Sequence, residues 1–149
     1  MFYKEAGAFY IDFLKAEILL AEGKSQEAIT VCKQMTQLEI PTMHTANIAF
    51  YNVPFISDTL ARAYVQMGDL DKAISEYDRI LTFDSESKER RLIHPKYHYR
   101  LAKLYEQQGD MTKAIEHYEK FLSLWKDADA GIAEVEDARE RLAGLKNLP

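Results

Sequence analysis

Leu60-Ala61-Arg62-Ala63-Tyr64-Val65-Gln66-Met67-Gly68-Asp69-Leu70-Asp71-Lys72-Ala73-Ile74-Ser75-Glu76-Tyr77 recurs 41 residues later, from Leu101 to Tyr118, with ten of 18 positions identical. A fainter copy lies 45 residues upstream, where Ala16, Gly23, Ala28 and Ile29 take the places of Ala61, Gly68, Ala73 and Ile74. Each copy reads as a helical hairpin. Small residues at Ala16, Ala61 and Ala102 sit where two helices must cross closely. Gly68 and Gly109 follow the last periodic residue of a helix and can take the left-handed conformation that ends it. Asp69 and Asp110 then suit the N-cap of the next helix. Ala73 and Ala114 return that helix against the first, with Tyr77 and Tyr118 filling the gap above them.

The pattern resembles the tetratricopeptide repeat, whose signature runs W-x2-L-G-x2-Y, then A-x3-F, then P. Here it reads Ser57-x2-Leu60-Ala61-x2-Tyr64 with Ala73-x3-Tyr77, and His98-x2-Leu101-Ala102-x2-Tyr105 with Ala114-x3-Tyr118. The first copy keeps Leu19 and Ala28-x3-Cys32. The resemblance implies an all-α chain, a right-handed superhelical stack of three hairpins. One domain over 1–149 is expected, with repeats about 9–41, 54–87 and 95–128. The family period is about 34 residues, whereas these glycines stand 45 and 41 apart. The excess falls between repeats, in 33–56 and 78–97, where Pro41 breaks the first gap and Pro95 restarts a helix.

After a polar break at 126–131, Ile132, Val135, Ala138, Leu142 and Leu145 recur at three and four among charged residues. That is a one-faced helix, here a cap over 131–147 for the last hairpin. The expected helices lie near 4–21, 24–38, 45–66, 70–82, 95–107, 111–125 and 131–147. The opening helix carries Phe2, Tyr3, Phe9, Tyr10 and Phe13 with few charges between them. So apolar an end predicts an interface, and a homodimer is the assembly it would build.

At 149 residues, 47% hydrophobic and 29% charged, the chain is long enough for a sizeable core and too apolar for wholesale disorder. One cysteine, Cys32, excludes a disulfide framework and a cysteine-rich zinc site; it takes an aromatic core position of the first repeat. No apolar run approaches the ~18 residues of a membrane span, and the first residues do not read as a signal peptide. The cytoplasm is therefore the expected location, with no membrane contact. Net charge is −5, so nucleic acid is not the expected partner.

Catalytic motifs are missing: no glycine-rich phosphate loop, no G-x-S-x-G elbow, no H-E-x-x-H. No enzyme, cofactor or metal is expected. His94 and His98 have ligand spacing, but Pro95 separates His94 from the helix and no third ligand falls on the same face. Charge is more informative. From Lys88 to Lys103 six basic residues face one acid, Glu89; the window carries +5 and the remainder −10.

By the family resemblance, first-helix positions two, five, six and nine of each repeat line a concave groove. They are Tyr10, Phe13, Leu14 and Glu17, then Phe55, Asp58, Thr59 and Arg62, then Lys96, Tyr99, Arg100 and Lys103. Arg62, Lys96, Tyr99, Arg100 and Lys103 are the candidate peptide-binding residues, suited to an acidic or C-terminal segment. Lys96-x3-Arg100 resembles half of the carboxylate clamp of chaperone-binding members. Phe13, Glu17 and Thr59 stand where that clamp needs a lysine and two asparagines, so chaperone-tail capture is not expected. The tract from Arg90 to Tyr105, with Phe121-Leu122-x2-Trp125-Lys126-Asp127-Ala128-Asp129 and Glu136-Asp137-Ala138-Arg139, resembles C-terminal repeat segments of large bacterial signalling proteins. Those are kinases, cyclases and transcriptional regulators. An interaction module in such a protein is the expected role; the alternative is a homo-oligomerisation element assembled through the N-terminal helix.

Overall fold

The computed structural model describes residues 2–36, 55–82 and 94–147, with side chains over 10–35, 56–82 and 94–147. Residues 45–54 of the expected third helix, Pro41, and the basic residues Lys88, Arg90 and Arg91 lie outside the described residues. Among the described residues there are seven helices and no strand. They fall in two compact units, Met1–Leu92 and Ile93–Pro149.

The first unit holds two hairpins. Helix α1 (Phe2–Ala21) pairs with α2 (Ser25–Thr36), and α3 (Phe55–Gln66) pairs with α4 (Leu70–Leu81). Helix α3 also packs on both α2 and α1. In the second unit α5 (Lys96–Gln108) pairs with α6 (Met111–Leu124), and α7 (Ala133–Lys146) lies against both. Every helix described matches an expected one to within two residues where its end is described.

All three hairpins turn by one device. Gly23, Gly68 and Gly109 have φ of 76°, 77° and 90°, the left-handed region in which glycine has no Cβ penalty. The following N–H then reaches back five residues: Lys24 to the Leu19 carbonyl at 2.8 Å, Asp69 to Tyr64 at 3.0 Å, Asp110 to Tyr105 at 2.9 Å. This closes the helix end with its last carbonyls satisfied. The next helix opens on an aspartate in the two strong copies. The Asp69 and Asp110 carboxylates accept the backbone N–H of Lys72 at 3.3 Å and of Lys113 at 3.1 Å.

The core follows the repeat register. Ala16, Ala61 and Ala102 are fully buried, as are Ala28, Ala73 and Ala114 opposite them. Cys32, Tyr77 and Tyr118 fill the aromatic position, each at most 1% exposed. Helix α7 turns Val135, Ala138 and Leu145 inward, as its three-and-four spacing predicts. Leu142 and Ile132 are half-buried.

Candidate peptide-binding face

In the first unit the groove positions bind one another. Asp58 is buried, and its two oxygens take the Tyr77 hydroxyl at 3.1 Å and Arg62 Nε at 3.1 Å. Arg62 Nη2 pairs with Glu17 of α1, whose same oxygen accepts the Thr59 hydroxyl at 2.5 Å. The guanidinium of Arg62, expected as a ligand contact, is thus spent on two carboxylates of its own unit. One turn further, Gln66 ties three helices. It accepts from the Ser25 hydroxyl of α2 at 2.6 Å and donates to the Leu20 carbonyl of α1 at 3.2 Å.

In the second unit Lys96, Tyr99, Arg100 and Lys103 share α5, and all four are half-buried. The spacing places them along one helical face over about two turns. Lys96 Nζ lies 5.5 Å from the centroid of the buried Tyr97 ring. The Tyr99 ring packs on Phe121 at 5.3 Å and Tyr118 at 6.3 Å. Lys103 Nζ sits over that ring at 5.3 Å and donates to its hydroxyl oxygen at 3.4 Å.

Helix α7 supplies the acid that this basic face lacks. Asp137 accepts the Tyr99 hydroxyl at 2.7 Å and Arg141 Nε at 2.8 Å. Arg141 Nη1 reaches both Glu106 oxygens at 3.2 Å, and Glu106 accepts the Tyr118 hydroxyl at 2.8 Å. Burial, then the hydrogen bond to a carboxylate, raises both tyrosine hydroxyls well above their ordinary value. Burial opposes ionisation of Asp137, but Arg141 and Tyr99 win and hold its carboxyl below the usual range. Helix α7 is thus more than the cap expected from its three-and-four spacing. Extending the repeat register one helix further sets Asp137 and Arg141 against α5.

Two other expectations concern side chains elsewhere. Of the interface candidates, Tyr10 is exposed and Phe13 half-buried; the side chains of Phe2, Tyr3 and Phe9 lie outside the described residues. Ile11, Leu14 and Ile18 form the exposed apolar stripe of α1, at 67%, 58% and 57%. Their register equivalents on α3 are Ile56, half-buried, and Thr59 and Ala63, fully buried. Across the α5–α6 hairpin His98 also meets His117, their Nδ1 atoms 3.0 Å apart, a pairing the spacing along either helix does not announce. Burial, above all, pushes the Cys32 thiol up to about 11, so it is an inert core group. Among the described residues no group of three His, Cys, Asp or Glu is placed to hold a metal, and no helix is long and apolar enough to cross a membrane.

Residues 55–127, from α3 through α6, match the family model of the tetratricopeptide repeat. Among solved structures the chain is similar to the type III secretion chaperone SycD of Yersinia enterocolitica, crystallised in complex with a peptide of the translocator YopD. The identity is 16%, the match covers 93% of this chain and 89% of that one, and the TM-score is 0.63. No curated protein shows a significant sequence match. The fold is therefore an all-α helical repeat of tetratricopeptide type.

Proposed function

We propose that the chain is a protein–protein interaction module whose α5 face binds an acidic or C-terminal peptide segment. The observation that carries this is the alignment of Lys96, Tyr99, Arg100 and Lys103 on one accessible helical face, rigidly backed by Phe121 and Tyr118. Arginine grips a carboxylate with two parallel hydrogen bonds, and a tyrosine adds an apolar body with a polar tip. The peptide bound by SycD supports the same use of this fold. The resemblance of the Arg90–Tyr105 tract adds a setting: a larger signalling or regulatory protein.

Contacts of this kind are partly solvated, so micromolar affinity with strong salt dependence is expected. Reversing Lys96 and Arg100 to glutamate abolishes capture of an acidic peptide while leaving the helical signal and melting temperature nearly unchanged. Undiminished capture by that double variant refutes the assignment.

A second reading has its own observation. Ile11, Leu14 and Ile18 leave an apolar stripe in water at positions that are covered on α3. Self-association through α1 would bury it. Light scattering at rising concentration tests this: a dimer that Leu14→Glu dissociates supports it, and a monomer throughout rejects it.

A further inference from the structure

The α5–α6 hairpin holds a pair of imidazoles that peptide binding does not use. His98 and His117 approach Nδ1 to Nδ1 at 3.0 Å, with ring planes 30° apart and centroids separated by 5.3 Å. Tyr105 stacks on His117 at 5.6 Å and 21° and fixes its ring from the other side. Both histidines are half-buried, so the pair is anchored yet reachable from solvent.

A neutral imidazole nitrogen is the preferred donor of late first-row divalent ions. Two imidazole nitrogens 3.0 Å apart, each about 2.1 Å from one ion, subtend about 90° at it, the cis angle of a tetragonal site. One Nδ1 carries the proton of the present hydrogen bond. Coordination moves that proton to Nε2 of the same ring, and none need be released. Water completes the shell, since no third protein ligand stands by among the described residues. Hard cations such as Mg2+ and Ca2+ demand oxygen ligands and do not fit.

We propose that His98 and His117 form a two-histidine chelate for a divalent late first-row ion, Cu2+ most tightly, that clips α5 to α6. The site is particular to this hairpin. At the equivalent places in α3 and α4 stand Ser57 and Glu76, whose oxygens accept Arg79 Nη2 at 2.6 and 2.7 Å.

Titration of the full chain with Cu2+, followed by calorimetry and electron paramagnetic resonance, tests this. The expected result is one equivalent bound with coupling to two imidazole nitrogens, and a higher melting temperature with Ni2+ or Cu2+ present. His98→Gln and His117→Gln each weaken uptake at least tenfold, whereas His94→Gln leaves it unchanged. Should a glutamine variant fold poorly, substoichiometric Cu2+ added to the unmodified protein selectively broadens the His98 and His117 imidazole NMR signals. The proposal is overturned if the wild type takes up no equivalent of Cu2+, if both variants bind as well as it does, or if other histidines broaden first.

Discussion

The hairpins α3–α4 and α5–α6 share ten of 18 residues across their turns, and yet their polar contacts are wired differently. In α3–α4 the core tyrosine, Tyr77, hydrogen-bonds Asp58 on the partner helix. In α5–α6 the register equivalent of Asp58 is Tyr99, so Tyr118 turns to Glu106 instead, and Tyr99 looks outward to Asp137 of α7. Likewise Arg62 answers Asp58 and Glu17, whereas its equivalent, Lys103, rests over the Tyr99 ring. The identical residues make the scaffold: alanines at the crossing, glycine at the turn, aspartate at the cap. The residues that differ decide how a first-helix face is wired: by carboxylates of α1 and α3 at Arg62, and by the Tyr99 ring and α7 around Lys103.

The largest effect expected from breaking this contrast is at Asp58. Asp58→Ala removes the buried carboxylate that accepts the Tyr77 hydroxyl and one of the two carboxylates that Arg62 meets. A loss of about 2–3 kcal/mol is expected by denaturant unfolding. The equivalent change in the second hairpin, Tyr99→Phe, removes one hydrogen bond at a half-buried place and is expected to cost about 1 kcal/mol. Equal losses would erase the distinction between the two faces.

Ala102→Leu probes what the hairpins share. Ala102 is fully buried at that crossing, and overpacking is expected to cost about 1–3 kcal/mol. A melting curve unchanged by this substitution would contradict the placement of the crossing.

Acid sharpens the contrast further, because α5–α6 carries the histidine pair and α3–α4 does not. The folded-state value of His98 is lowered from 6.5 to about 4. The unfolded chain therefore binds the proton first. The contribution of the neutral ring is fully present above pH 6.5 and is lost as pH falls toward 4. His94, lowered by burial and then by Lys96 and Arg100, acts in the same direction. The melting temperature is expected to drop between pH 7 and 4.5, and His98→Gln to flatten that drop. Identical pH profiles for the variant and the wild type would remove His98 as its source.

The repeat scaffold was legible because its residue choices are dictated by backbone geometry and close packing. Ala61 and Ala102, Gly68 and Gly109, and Asp69 and Asp110 each had one structural reason to stand where they do. The side-chain wiring was less legible because it depends on which helix comes next to which. His98 read along its own helix pairs with His94; only the hairpin register sets it against His117. Tyr99 and Asp137 are 38 residues apart, and nothing local to either names the other. Leu14 reads from sequence as a groove position, and its place in one stripe with Ile11 and Ile18 was less legible because α1 is apolar on two opposite faces. Ala16 and Leu20 face the core, while the stripe faces water. The ion pair of Arg62 with Glu17 was equally hidden, because Glu17 comes from another hairpin.

The central claim is that α5 presents the ligand surface. Titration of the isotope-labelled chain with a short acidic peptide, read by amide chemical-shift changes at low and high salt, tests it most directly. The account predicts shifts concentrated at Lys96, Tyr99, Arg100 and Lys103 that fade as salt is raised. Shifts centred instead on Ile11, Leu14 and Ile18, or no shifts at all at millimolar peptide, would contradict it.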